Sequence, residues 1–226
     1  MLGRLGIIMI GEERITAYIN SLEKELPTEL LALEQVALMQ HVPIIKKETQ
    51  GVLRFLLRLQ QPKRILEVGT AIGFSALFMS EYTDEVCNIT TIEKVPMRLV
   101  EAEKNLSDQA FKHKDKVTLK KGEALEVLKD LVQEKEEYDF IFLDAAKAQY
   151  MSFLPELMKL LKQGGMLVTD NVLQDGTVTN SRYSITRRDR TIHSRMREYL
   201  FSITHTEELE TMILPVGDGI AISYRI

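Results

Sequence analysis

The chain has no tryptophan, one cysteine and no long apolar run, and each absence narrows what it can be. A single thiol, Cys87, rules out an internal disulfide framework and fits a reducing compartment. No apolar segment approaches the roughly 20 residues that span a bilayer. The opening MLGRLGIIMIGEER holds a short apolar stretch without a small-residue cleavage pattern. It reads as a frayed terminus, with Met9 as an alternative start, rather than as a signal peptide. Together these features predict a cytoplasmic protein. Positive charge is not in excess either: 29 basic against 33 acidic side chains leave a net charge of -4. Any nucleic-acid-binding surface therefore has to be local. The missing tryptophan removes one kind of aromatic wall and leaves Tyr150, Phe153 and Tyr183 as candidates for stacking on a base or ring.

What is present is enough for one domain over residues 1–226, with 1–60 a helical cap and 61–226 an α/β core. Ile15, Tyr18, Ile19, Leu22 and Leu26 recur at helical spacing, Pro27-Thr28 restarts the chain, and a second apolar helix runs to about Gln40. His41-Val42-Pro43 breaks it, because the residue before a proline is pushed out of the α region. A third helix carries Val52, Leu53, Leu56 and Leu57. From Lys63 the text alternates: ILEV, NITTI, KVTLKK, FIFL and MLVT read as strands, with helical patterns at 73–81, 96–109, 123–133 and 149–162 between them. Such alternation predicts βαβ units and a parallel sheet. At the end, THTEELETMILPV and GIAISYRI flank Gly217-Asp218-Gly219 and read as an antiparallel hairpin on the sheet edge. A polar, arginine-rich stretch from Gly176 to Arg197 interrupts the order, and no repeats are found.

Chemistry concentrates at the strand ends. Asp144 closes FIFL, and Asp170-Asn171 closes MLVT, about one β-α unit later. Carboxyl ends of parallel strands line the ligand crevice of an open sheet, so two carboxylates and an amide oxygen are delivered to one point. Hard oxygen donors of that kind suit Mg²⁺ or Ca²⁺. The run ILEVGTAIGFSA spreads Glu67, Gly69, Gly73 and Ser75 across a strand-to-helix turn, where glycines allow close approach and a helix N-terminus offers free N–H groups. A dinucleotide fingerprint needs glycine at its third and sixth positions, but Ala71 and Phe74 stand there. Glu93, closing TIEK, can reach both hydroxyls of a ribose, and Gly122-Glu123-Ala124 after the third strand can bracket an adenine edge.

LEVGTAIGFSA, TIEK, the aspartate of FLDAAK, TDNVL and LPVGDGIAISYR, in that order, resemble the cation-dependent O-methyltransferases, S-adenosylmethionine enzymes that include catechol and caffeoyl-CoA O-methyltransferases. The likeness runs from about Thr28 onward. It implies a Rossmann-like methyltransferase fold with a mostly parallel seven-stranded sheet, an antiparallel C-terminal hairpin and an N-terminal helical cap. It further implies that Glu67, Gly69, Thr70, Gly73 and Ser75 hold the methionine end of S-adenosylmethionine, with Met39 and Val42 covering it. Glu93 would bind the ribose, Glu123 and Ala124 would flank the adenine, and Asp144 would sit between cofactor and metal. Asp144, Asp170 and Asn171 would hold a divalent cation, usually Mg²⁺, and Lys147 would be the general base.

The acceptor region differs from plant and animal relatives. Arg182, Arg187, Arg188, Arg190, Arg195 and Arg197 face only Asp189 in sign between 182 and 197. Arginine forks onto phosphate and stacks on bases, so the segment reads as an RNA-binding lip. With the rest of the sequence it resembles the bacterial tRNA methyltransferases that convert 5-hydroxyuridine at the wobble position to 5-methoxyuridine. The competing expectations are a small catechol acceptor and, from another class, a cofactor-binding RNA module without catalysis. Family members of bacterial type imply a homodimer, for which the apolar N-terminal helices are the candidate interface.

Overall fold

Short runs that are apolar on both faces can only be satisfied as inner strands of a covered sheet, and that is where they lie. The computed structural model describes residues 13–187 and 189–226, apart from the side chains of Asp175 and Arg182. Expectations placed on residues 1–12, Met9 included, and on Arg188 fall outside that range. The strands are β1 (Arg64–Val68), β2 (Asn88–Glu93), β3 (Val117–Lys121), β4 (Tyr138–Leu143), β5 (Leu161–Thr169), β6 (Leu209–Leu214) and β7 (Ile220–Arg225). They form one seven-stranded sheet of order β3-β2-β1-β4-β5-β7-β6. β1 to β5 pair in parallel, and β7 runs antiparallel to β5 and β6. The expected edge hairpin is therefore present, with β6 outermost.

Helical residues 13–22 (α1), α2 (Thr28–Met39), α3 (Lys47–Gln60) and α4 (Phe74–Glu81) precede α5 (Pro96–Ser107), α6 (Ala124–Gln133), α7 (Tyr150–Leu160) and α8 (Arg190–His205). Alternation along β4 shows how the two layers are specified. Phe140 and Phe142 join one core with Leu30, Leu53 and Leu77 from α2, α3 and α4. Ile141 and Leu143 join the other with Leu128, Leu157 and Tyr199 from α6, α7 and α8. Each such side chain contributes on the order of 1.5–3 kcal/mol by leaving water. Cys87 belongs to the first core and is buried. Among the described residues no helix is long and apolar enough to cross a membrane.

Three boundaries differ from expectation. The helix expected over 149–162 ends at Leu160, and β5 begins at Leu161. Pairing passes from Tyr138↔Leu161 to Phe140↔Met166, so residues 162–165 bulge out where Gly164 (φ 77°) and Gly165 permit it. Thr204 and His205, expected in the hairpin, finish α8. The arginine-rich stretch is not all loop: after short 3₁₀ turns at Gln174–Thr179 and Arg182–Ser184 it becomes the start of α8. The buried residues His193, Met196, Tyr199 and Ile203, spaced at helical intervals, anchor that helix.

Candidate active site

Strand order reverses between β1 and β4, and the crevice such a reversal leaves is the expected ligand site of a doubly wound sheet. A cleft of about 660 Å³ opens there, within the range of small-molecule sites. Its floor is drawn tight by backbone bonds between neighbouring strand ends. The amide of Gly69 donates to Ile92 (3.1 Å), that of Asp144 to Val68 (3.0 Å) and that of Asp170 to Leu143 (3.0 Å). Gly69 (φ 109°) is required by this closeness: a Cβ there would fall 1.9 Å from the Asp144 carbonyl oxygen.

On the β4–β5 side Asp144, Lys147, Asp170 and Asn171 all line the cleft. Asp170 is buried, 2% exposed. Its Oδ1 accepts the Asn171 amide at 2.7 Å. Burial first, then the Glu67 charge, pushes the Asp144 carboxyl up from its ordinary range. Burial first, then Asp144, does the same to Asp170. Buried carboxylates raised in this way are relieved by a neighbouring cation or by taking up a proton. Among the described residues no three His, Cys, Asp or Glu side chains gather into a metal-sized cluster, so the donor set here is two carboxylates completed by the Asn171 amide. All three are hard oxygen donors and fit Mg²⁺ rather than a soft metal. Asn171 itself is held at φ 59°, a left-handed conformation that asparagine tolerates better than most residues. Lys147 opens a 3₁₀ turn, Lys147–Gln149, and is half-buried.

On the β1–β2 side the carboxylates are held differently. Glu67 is fully buried under the cleft and pushed up to about 7, chiefly by burial. Its Oε2 accepts from the Thr91 hydroxyl, and Ser75 also bonds its side chain. Oε1 has no hydrogen-bond partner, which leaves a buried acceptor unsatisfied, and Glu67 itself does not line the cleft. Glu93 accepts from the amides of Lys94 and Val95 on Oε1 and of Ala71 on Oε2, each at 2.9 Å. That fixes its plane and leaves lone pairs for hydroxyl donors. Glu123 takes the Lys94 ammonium at 2.8 Å, which holds its carboxyl below the usual range, and it lines the cleft with Thr70 and Ala124.

Several expected site residues sit elsewhere. Met39 is 72% exposed at the end of α2, and neither it nor Val42 lines the cleft. The cap reaches the cleft instead through Pro43–Lys46, the four residues after the break. Gly73 (φ 88°) serves as the cap of α4 behind the cleft. Tyr150 is packed in the core, whereas Phe153, equally buried, lines the cleft. The Tyr150 hydroxyl donates to the Asp170 carbonyl (3.2 Å), and its ring meets Tyr199 edge-on. Tyr183 is 89% exposed. Of the arginines, Arg187 is exposed, while Arg190, Arg195 and Arg197 each give one N–H to a backbone carbonyl, of Ile185, Ala148 and Val178. Arg182 is placed by its backbone alone. Asp218, in the β6–β7 turn, lines the cleft and was read from the sequence only as a turn residue; an acid flanked by two glycines was the available signal.

A family model described as O-methyltransferase matches residues 15–226. The chain belongs to the O-methyltransferase family. This bears out the resemblance read from the motifs. A catechol O-methyltransferase of Niastella koreensis is 31% identical over 169 residues, covering 74% of this chain and 76% of that protein. A Staphylococcus aureus structure, provisionally named a caffeoyl-CoA O-methyltransferase, superposes with TM-score 0.85 at 30% identity, covering 93% of this chain and 99% of that one. An O-methyltransferase from Bacillus cereus, solved in complex with SAH, shares the fold with TM-score 0.82 at 22% identity over 94% of this chain and 97% of that one.

Proposed function

We propose that this O-methyltransferase transfers the methyl group of S-adenosylmethionine to a hydroxyl flanked by a second oxygen, with a divalent cation held by Asp144, Asp170 and Asn171. One observation carries the reading: the acid pair, its amide and Lys147 share one cleft with Glu93. S-adenosylmethionine supplies an electrophilic methyl group, and a bound cation lowers the pKa of the acceptor hydroxyl. Glu67 Oε1 accepts from the ammonium of the methionine end, Glu93 takes the ribose hydroxyls, and Glu123 with Ala124 borders the adenine. Pro43–Lys46 wall the cleft and align the methyl group with the acceptor. Lys147 takes the acceptor proton.

For the acceptor we favour 5-hydroxyuridine at the wobble position of tRNA. Its 5-hydroxyl adjoins the 4-carbonyl, so it offers two oxygens as a catechol does, and an anticodon base can be splayed out at modest cost. Arg187 and Tyr183 are exposed, Arg195 reaches the Ala148 carbonyl next to Lys147, and Arg190, Arg195 and Arg197 keep donors beyond those spent on carbonyls. A catechol is the second reading, favoured by the relative that carries that name. The exposed apolar residues Ile15, Tyr18 and Leu22 of α1 and Phe55 and Leu59 of α3 are read as the contact of a homodimer. Labelled methyl transfer, with Mg²⁺ and with chelator, to hydroxyuridine-containing tRNA and to a catechol in parallel tests these readings. Chelator-sensitive label in tRNA alone, falling steeply with salt, is expected. Label in the catechol alone would transfer the assignment to that acceptor, and label surviving the chelator would remove the cation.

A further inference from the structure

The turn Gly217-Asp218-Gly219 sits against the loop that carries Asn171, and the contact is too complete to be only a strand reversal. Three backbone bonds stitch the two together: the amide of Val172 donates to Gly219 (3.0 Å), and those of Leu173 and Gln174 donate to Asp218 (3.0 and 3.2 Å). Neither flanking glycine leaves room for a side chain. A Cβ on Gly219 (φ 89°) would lie 2.3 Å from Leu173 Cγ, and one on Gly217 (φ 58°) would lie 2.9 Å from Thr49 Oγ1 in α3. The Asp218 side chain is then fixed from both sides. Its Oδ1 is ion-paired with Lys46 of the cap segment, and its Oδ2 accepts from Asn171 Nδ2 at 3.2 Å.

We propose that Asp218 is a positioning residue that sets the orientation of the Asn171 amide. A carboxylate can only accept, so the amide must turn its nitrogen toward Asp218. Its trigonal carbon then turns Oδ1 the other way, as an oxygen donor for a cation. Without that anchor the amide rotates, and half of its orientations offer N–H donors where a cation needs an oxygen. Lys46 holds one carboxylate oxygen and thereby keeps the other in place for the amide. Partners of this kind outside the ligand set typically change metal affinity by about 10- to 100-fold. The inference rests on the reading of Asp144, Asp170 and Asn171 as a cation-holding set.

Mn²⁺ affinity, measured by electron paramagnetic resonance on the full chain without cofactor or acceptor, tests it. Asp218→Ala is expected to weaken Mn²⁺ binding by about 10-fold or more, with a metal-free melting temperature close to that of the parent. Asp218→Asn, which keeps an acceptor for the Asn171 amide, is expected to stay within about threefold of the parent, the scale of one modest hydrogen-bond difference. Should Asp218→Ala fail to fold, Asp218→Glu keeps the charge but displaces the acceptor by one methylene and carries the same expectation of weakened binding. Parent-like affinity in Asp218→Ala, or equal weakening in the Ala and Asn variants, would overturn the positioning role and leave the cation site standing. A parent protein that binds no Mn²⁺, like Asp144→Ala, would overturn the cation site and this inference with it.

Discussion

Glu93 and the Asp144–Asp170 pair border one cleft, and they are kept in opposite conditions. Glu93, at the end of β2, is fixed in plane by three backbone amides. At the ends of β4 and β5, burial pushes both Asp144 and Asp170 toward protonation, with the Glu67 charge adding to it at Asp144 and the Asp144 charge at Asp170. The same device, an acid one residue from the end of a parallel strand, therefore yields two kinds of site. A carboxylate supplied with amides is fixed in plane and can receive a hydroxyl donor. A buried pair with few donors is pushed toward protonation instead. What decides between them is how many free N–H groups the following turn presents, not the residue type.

If that contrast is sound, each end can be broken without the other. Asp170→Ala removes one of the two acids and should lower turnover by roughly 10³-fold, the several kcal/mol expected of a lost cation. Calorimetry with S-adenosylhomocysteine should show its affinity little changed. Lys147→Ala should lower kcat by about 10²- to 10⁴-fold, while Mn²⁺ and S-adenosylhomocysteine still bind as in the parent. Loss of either affinity would make Lys147 a structural residue. Glu93→Gln should weaken S-adenosylhomocysteine by about 10-fold and leave Mn²⁺ affinity alone; an effect on Mn²⁺ would mean that the two ends are not separable.

The smallest expected effect is on stability against pH. Glu67 moves from 4.5 to about 7 on folding, so the folded state holds its proton better than the unfolded chain does. That contribution is complete below about pH 4.5 and disappears as pH rises through 7. The upward shifts of Asp144 and Asp170 have the same sign. Metal-free protein should therefore melt at progressively lower temperature from pH 5 to pH 8, by about a few degrees. Mg²⁺ should flatten the profile at its alkaline end. A metal-free melting temperature that rises over this range would contradict the burial described for these acids.

Much of this was legible in the sequence because parallel strands announce themselves twice. Runs such as FIFL are apolar throughout, and the residue after each run is placed at the crevice by topology alone. Asp144, Asp170, Asn171, Glu93 and Glu123 were found that way. Met39 and Val42 were placed on the cleft by resemblance, but the chain turns at His41 (φ 55°) and delivers Pro43–Lys46 instead. Periodicity says where a helix stops and not which residues of the following loop face inward. Tyr150 reads as a stacking candidate because aromatic type does not reveal depth; the apolar spacing of α7 carries it into the core, while Phe153 on the same helix, also buried, borders the cleft. Asp218 was missed for a different reason. Its partner Lys46 lies 172 positions away, and no local pattern encodes a contact between a cap and a distant turn.

Gly69 ties these ends together in a way that bears on how such a protein can change. The 1.9 Å clash that any side chain there would make with the Asp144 carbonyl means that the turn after β1 and the first acid lie in direct backbone contact. No substitution can enlarge one chamber without prying β1 from β4. Room for innovation lies on the far side, along the 3₁₀ turns and the start of α8, where loops are held to the body by a few arginine–carbonyl bonds. Retargeting to a new acceptor should therefore proceed by rewriting the roof, with the floor handed on unaltered.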